Sequence, residues 1–202
     1  MATSARNYPG LFRDYSERSP PNGAKLTTNL PFPLPSMPTS NPQWTPSVTV
    51  AAIIERDGRF LLVEEQTSDG LRLNQPAGHL EQHESLLQAV IRETLEETAY
   101  NFTPTSLIGV YLVQAPAPNS RTYLRFAFTG ELGAKQEKPL DDGIVCTLWA
   151  THEEIVASSA RHRTPMLLQC LNDYLHGQRL PLDALYTHAS VFASSGNGGA
   201  HD

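Results

Sequence analysis

The stretch from Gly78 to Tyr100, GHLEQHESLLQAVIRETLEETAY, decides how the rest of the sequence is read. Glu93, Glu96 and Glu97 stand at i, i+3 and i+4, so a helix through them carries three carboxylates on one face, with neighbouring Cβ atoms roughly 5–6 Å apart. Leu87, Ile91 and Leu95 recur every four residues on roughly the opposite side. That stripe is expected to bury against a sheet and to leave the glutamates outside it. Three like charges so close repel one another, and the one Lys or Arg in the stretch is Arg92. Taken alone, such a run reads most simply as a solvated acidic face. A divalent cation is the other resolution, because clustered carboxylates are hard ligands that suit Mg²⁺ or Mn²⁺ and leave room for substrate phosphates.

The wider spacing favours the cation. Gly78, Glu84, Arg92, Glu93, Glu96 and Glu97 follow the pattern G-x5-E-x7-R-E-x2-E-E, which resembles the Nudix box of the Nudix hydrolase superfamily. The resemblance implies an α+β Nudix fold, a mixed β-sheet sandwiched between α-helices. It also implies a metal-dependent hydrolase that cleaves the phosphoanhydride bond of a diphosphate by water attack on phosphorus. Glu93, Glu96 and Glu97 would then be metal ligands and Arg92 a partner that fixes a box carboxylate, these four forming the catalytic set. Which glutamate is the general base stays open. Glu84 would support Arg92 or bind metal, the Gly78 carbonyl would be a further ligand, and Asp141 or Asp142 would supply an auxiliary carboxylate. As plain turn aspartates the last two need no such role. His79 and His83, spaced HxxxH, are expected to stay off a metal whose neighbours are oxygen ligands. The box departs from the usual pattern at Thr94, Ala99 and Tyr100. Losing Gly from the helix end removes the easiest left-handed residue, so a different C-terminal cap is expected there.

Finer similarity comes from Asn74-Gln75-Pro76-Ala77-Gly78-His79-Leu80-Glu81, Leu124-Arg125-Phe126, Arg163-Thr164-Pro165 and Gly177-Gln178-Arg179, which together resemble the NudJ-like phosphatases. That implies hydroxymethylpyrimidine pyrophosphate, thiamine pyrophosphate and nucleoside di- and triphosphates as substrates, with Asn74, Gln75 and Arg125 on the substrate side. Each of the three also has a plain structural use, in turn hydrogen bonds or a sheet-face ion pair. Pro116, 16 residues past the box, is a placement associated with ADP-ribose pyrophosphatases, and a Nudix-like ligand sensor without catalysis is the reading from another class.

The chain has 202 residues, 40% hydrophobic and 18% charged, enough for one full core. A net charge of −6 speaks against nucleic acid or an acidic membrane as partner, since both need a basic surface. The partner expected is a small-molecule diphosphate, with the protein a monomer or homodimer. Cys146 and Cys170 show no ligand spacing and read as small buried hydrophobes. With no apolar run of roughly 18 residues and no signal-like N-terminus, the expected location is cytoplasmic.

Residues 1–46 hold nine of the 16 prolines and are expected to form a disordered arm. Met37 is a candidate natural start. Residues 47–186 form the expected hydrolase domain. Val48 to Ile54, an Asp57-Gly58 turn and Arg59 to Glu65 read as a β-hairpin. Leu71 to Gly78 is a short strand stopped by Pro76. Leu107–Gln114, Thr122–Gly130 and Ile144–Ala150 are further strands. Thr151 with Glu154 opens a short helix as a capping box, and Thr164-Pro165 opens another with an apolar stripe of Met166, Leu167, Cys170, Leu171, Tyr174 and Leu175. Residues 187–202 are expected to be a disordered tail.

Overall fold

The computed structural model of the protein describes residues 44–115 and 121–193. The arm expected over 1–46 lies almost wholly outside these residues, as do Pro116 and the chain beyond Ala193. All described residues belong to one compact unit running from Gln43 to Asp202.

Among the described residues, eight strands form two four-stranded sheets. In the first the order is β5 (Ala77–His79), β1 (Ser47–Ile53), β7 (Thr122–Lys135) and β6 (Tyr100–Gln114). It is mixed, because β1 and β7 run parallel from Ser47↔Tyr123 to Ile53↔Thr129. In the second, β3 (Arg59–Thr67) pairs with β2 (Glu55–Arg56), β4 (Gly70–Asn74) and β8 (Ile144–Thr151). The fold class is therefore α+β with a mixed sheet and helices to either side, as expected.

The Asp57-Gly58 hairpin exists but is smaller than expected. Both turn residues have positive φ, 52° and 74°, as a tight hairpin turn requires. The arm that pairs with Arg59 and Phe60 is only Glu55–Arg56. β1 instead leaves for the other sheet, where it is flanked by β5 and β7. The reason is burial on both faces: Val50, Ala52 and Ile54 enter one core with Ala89, Val90 and Phe128, while Ile53 enters a second with Leu167 and Leu171. A strand covered on both sides belongs in a sheet interior rather than in a two-stranded ribbon.

Helix α1 (Leu86–Thr98) covers one core. The other is covered by α2 (His152–Ala157) and α3 (Met166–Leu175). The Thr151–Glu154 capping box is present. So is the α3 stripe through Met166, Leu167, Cys170 and Leu171, although Leu175 is exposed. Both cysteines are free, and burial pushes the Cys170 thiol up to about 12, which keeps it an inert apolar group. Thr187 to Ala193, expected to be part of an unstructured tail, include a 3-10 turn at Ala189–Val191. No helix among the described residues is long and apolar enough to cross a membrane.

Candidate active site

Ser85 starts α1. Its hydroxyl accepts from the Gln88 N–H while the Gln88 side chain accepts from the Ser85 N–H, a reciprocal cap that fixes where the first turn begins. The other end is closed by Ala99, in the left-handed region at φ 61°, with its N–H on Leu95 O. The different C-terminal cap expected here is thus an alanine doing what glycine usually does, at a conformational cost of about 1 kcal/mol.

The orientation of α1 corrects the sequence reading. Its buried residues are Ala89, Val90, Glu93, Thr94, Glu97 and Thr98, and Ile91 is exposed at 38%. Leu87 and Leu95 lie at the flank, half-buried. Glu93 and Glu97, at 9% exposure each, therefore point toward the sheets and not away from them. The stripe of large apolar residues was misleading because small residues, Ala89 and Thr94, are what let the helix approach its neighbours. Thr94 is fully buried and its hydroxyl donates back to Val90 O, so the departure from an aliphatic residue costs no unpaired group.

Arg92 organises one side of the site. Its Nε and Nη2 grip Glu84 through two hydrogen bonds of 3.0 and 2.7 Å. Nη1 donates to Glu93 Oε1 at 2.8 Å and Glu96 Oε2 at 2.9 Å, and Nη2 also reaches His79 O at 3.0 Å. Glu84 Oε1 in turn accepts from the Glu81 N–H. One planar guanidinium thus ties the β5 turn, the loop before α1 and two turns of the helix together. The hydrogen bond from Arg92 holds Glu84 below the usual carboxylate range.

The other side is short of positive charge. Burial raises Glu93 despite Arg92 beside it, and burial pushes Glu97 up to about 8, against one hydrogen bond from the Ala77 N–H at 2.8 Å. The charges of Glu93, Glu65 and Asp141 add to the Glu97 shift. Asp141 is brought to α1 by its N–H on Glu96 O, whereas the exposed Asp142 side chain makes no hydrogen bond or ion pair among the described residues. Gly78 lies against Glu93 so closely that a Cβ there would stand 2.1 Å from the carboxylate. Glycine at 78 is thus required by approach, not by φ.

His83 has φ 67° and its Nδ1 meets Val191 O, while the side chain of His79 is exposed and its ring sits 6.3 Å from Tyr123. Asn74, Gln75 and Arg125 are all buried in one neighbourhood. Gln75 donates to Leu167 O at 2.8 Å and accepts a long contact from Arg125 Nη1 at 3.5 Å. Two residues escaped the sequence reading. Glu65, near the end of β3 and beside Asn74 of the neighbouring strand, pairs with Arg163 and is raised by burial. Thr49, opposite both Arg125 and His79 in the sheet, is buried beside them. The available signal was weak: Glu64-Glu65 only looked like a polar end to an apolar strand.

This donor set suits a divalent cation by its chemistry: three carboxylates on one helix, two of them with proton affinity raised by burial and neighbouring charge, beside strand β5, whose Gly78 admits close approach. Among the described residues no three Asp, Glu, His or Cys side chains already converge as a ligand cage, because Arg92 engages Glu93 and Glu96.

Comparison with known proteins agrees with this architecture. The NUDIX domain profile matches residues 44–169. Phosphatase NudJ of Escherichia coli K12 is 39% identical over 141 residues, covering 69% of this chain and 90% of that protein. The structure of a NUDIX hydrolase from Nitrosomonas europaea is 49% identical, with a TM-score of 0.69 over 71% of this chain and 98% of that one. A MutT NUDIX hydrolase from Burkholderia pseudomallei, 20% identical with a TM-score of 0.56 over 64% of this chain and 98% of that one, shares the fold.

Proposed function

This chain belongs to the NUDIX family and is a Nudix-type hydrolase of phosphoanhydride bonds, and from that premise we propose that it removes the terminal phosphate from small-molecule diphosphates. The substrates proposed are hydroxymethylpyrimidine pyrophosphate, thiamine pyrophosphate and nucleoside di- and triphosphates. The observation that supports this reading is that Arg92 gathers Glu84, Glu93 and Glu96 while Glu97 accepts from the Ala77 N–H, all beside Gly78 of β5.

Glu93, Glu96 and Glu97 with the Gly78 carbonyl would hold Mg²⁺ or Mn²⁺, with Glu84 acting through Arg92. Such a cation, when bound, neutralises phosphate charge and offsets the negative charge gathered on α1. Arg92 keeps its two-point grip on Glu84 and so holds the rotamers of the box glutamates. Water adds to the terminal phosphorus, the bond from that phosphorus to the bridging oxygen breaks, and a box carboxylate takes the proton that the water gives up. Glu93 and Glu97 are suited to that task because burial has raised the proton affinity of each. Asn74, Gln75 and Arg125 face the organic part of the substrate. Asp141 is the auxiliary carboxylate and Asp142 a turn residue.

The test measures orthophosphate release from hydroxymethylpyrimidine pyrophosphate and AMP release from ADP-ribose, each with Mg²⁺ and with a chelator. Mg²⁺-dependent orthophosphate release in excess of AMP release is the expected result. Preference for ADP-ribose overturns the substrate assignment, and no Mg²⁺-dependent turnover of any diphosphate favours the sensor.

A further inference from the structure

Four buried side-chain polar atoms lack a hydrogen-bond partner among the described residues, namely Thr49 Oγ1, Glu65 Oε1, Asn74 Oδ1 and Arg125 Nε. They belong to one neighbourhood. Thr49 and Arg125 face each other across β1 and β7. Asn74 pairs with Val63, two residues before Glu65 on β3, Arg163 reaches Glu65 with its side chain and Leu73 O with its N–H, and Arg125 contacts Gln75 next to Asn74. An unpaired buried polar atom costs about 1–3 kcal/mol, so four in one place is the signature of a site whose partner is a ligand.

The polarity of the cluster restricts that ligand. Glu65 Oε1 and Asn74 Oδ1 accept, Arg125 Nε donates, and Thr49 does either. A phosphate is repelled by the carboxylates of Glu65 and Glu97 and offers no donor to Glu65. An uncharged group that donates a hydrogen bond, such as a ring amine or a sugar hydroxyl, satisfies Glu65 without adding charge. The other oxygen of Glu65 pairs with Arg163, whose side chain is about half exposed at 49%, so this edge of the cluster is reached by displacing a half-exposed arginine.

We infer that Glu65 is a specificity-determining residue, its free Oε1 accepting a hydrogen bond from a donor on the organic part of the diphosphate substrate. The inference rests on the diphosphate-hydrolase reading above. A buried acceptor of this kind selects by exclusion: an analogue without the donor leaves the carboxylate unpaired and is turned over more slowly.

The test uses substrate pairs that differ in one donor. The ring-amine arm compares CTP with its 4-deamino analogue, the triphosphate of pyrimidin-2-one riboside, and hydroxymethylpyrimidine pyrophosphate with its 4-deamino analogue. The hydroxyl arm compares GTP with 2′-deoxy-GTP. In the wild type the donor-bearing member of at least one arm has a kcat/KM higher by about tenfold or more. In Glu65→Gln and Glu65→Leu that ratio falls toward one, and because it is a ratio, any loss of folded enzyme cancels. Ratios within twofold in both arms of the wild type, or a ratio unchanged in the variants, overturn the inference alone. Turnover of none of the substrates overturns the hydrolase reading and the inference with it.

Discussion

Helices α1 and α3 cover opposite cores and bury opposite kinds of surface. The buried face of α3 is Met166, Leu167, Cys170 and Leu171, as apolar as a core helix can be. The buried face of α1 includes Glu93, Thr94, Glu97 and Thr98, so four of its six buried residues carry a carboxylate or a hydroxyl. The hydroxyls are satisfied within the helix, Thr94 on Val90 O and Thr98 on Thr94 O. The carboxylates are not: Arg92 serves one side and Glu97 is left with a single backbone donor. One helix stabilises the fold, and under the function proposed above the other gives up stability to hold charge for a cation and a phosphoanhydride.

Removing charge from α1 is the largest expected effect. Glu97→Gln keeps size and can still accept from the Ala77 N–H, so the fold stands, while kcat falls about 10³-fold or more, on the order of 4 kcal/mol in the barrier. Activity assays beside far-UV circular dichroism check both halves. The matching change on α3, Leu167→Ala, does the reverse. It opens a cavity in a fully buried position and costs about 2–5 kcal/mol in denaturant unfolding, with kcat per folded molecule little changed. If Leu167→Ala altered kcat as strongly as stability, the division of labour between the helices would be wrong.

A subtler test is Gly78→Ala. The three atoms nearest the new methyl are those of the Glu93 carboxylate, which must leave its place beside Arg92, so kcat drops about 10²-fold while the backbone fold is kept. Smallest is Ala99→Gly at the end of α1, which relieves the left-handed alanine and changes stability by about 0.5–1 kcal/mol at most in the favourable direction. Thermal unfolding reads it, and a clear loss of stability would show that the alanine methyl packs more than its backbone strains.

The same contrast explains what could be read from the sequence. The α3 stripe and the Thr151 cap were legible because each has one physical cause, apolar burial or satisfied end groups. The register of Gly78, Glu84, Arg92 and the glutamates was legible as a pattern of chemistry. The direction α1 faces was not, because periodicity assigns charged residues to solvent, and here two of them are buried by small neighbours at Ala89 and Thr94. The Ser85–Gln88 cap was written in the sequence and went unread. The separation of β1 from β3 was hidden because the Asp57-Gly58 turn is a true hairpin signal for a shorter partner. Glu65 had no local signature at all; only the chain's return at Asn74, Arg125 and Arg163 gives it a role.

The central claim is that the buried face of α1 is a cation site, and unfolding as a function of pH tests it without any substrate. A carboxyl raised in the folded state binds its proton more tightly there than in the unfolded chain. Stability is therefore greatest below about pH 4.5 as far as this group is concerned, and falls as pH rises from about 4.5 through about 8, where folded Glu97 ionises. The measurement is the Tm of the wild type and of Glu97→Gln at pH 6 and pH 9, with a chelator and with saturating Mn²⁺. The account predicts that wild-type Tm drops between pH 6 and pH 9 in chelator and recovers with Mn²⁺. In Glu97→Gln both the drop and the recovery shrink. Equal Mn²⁺ shifts in the two proteins, or none in the wild type, would contradict it.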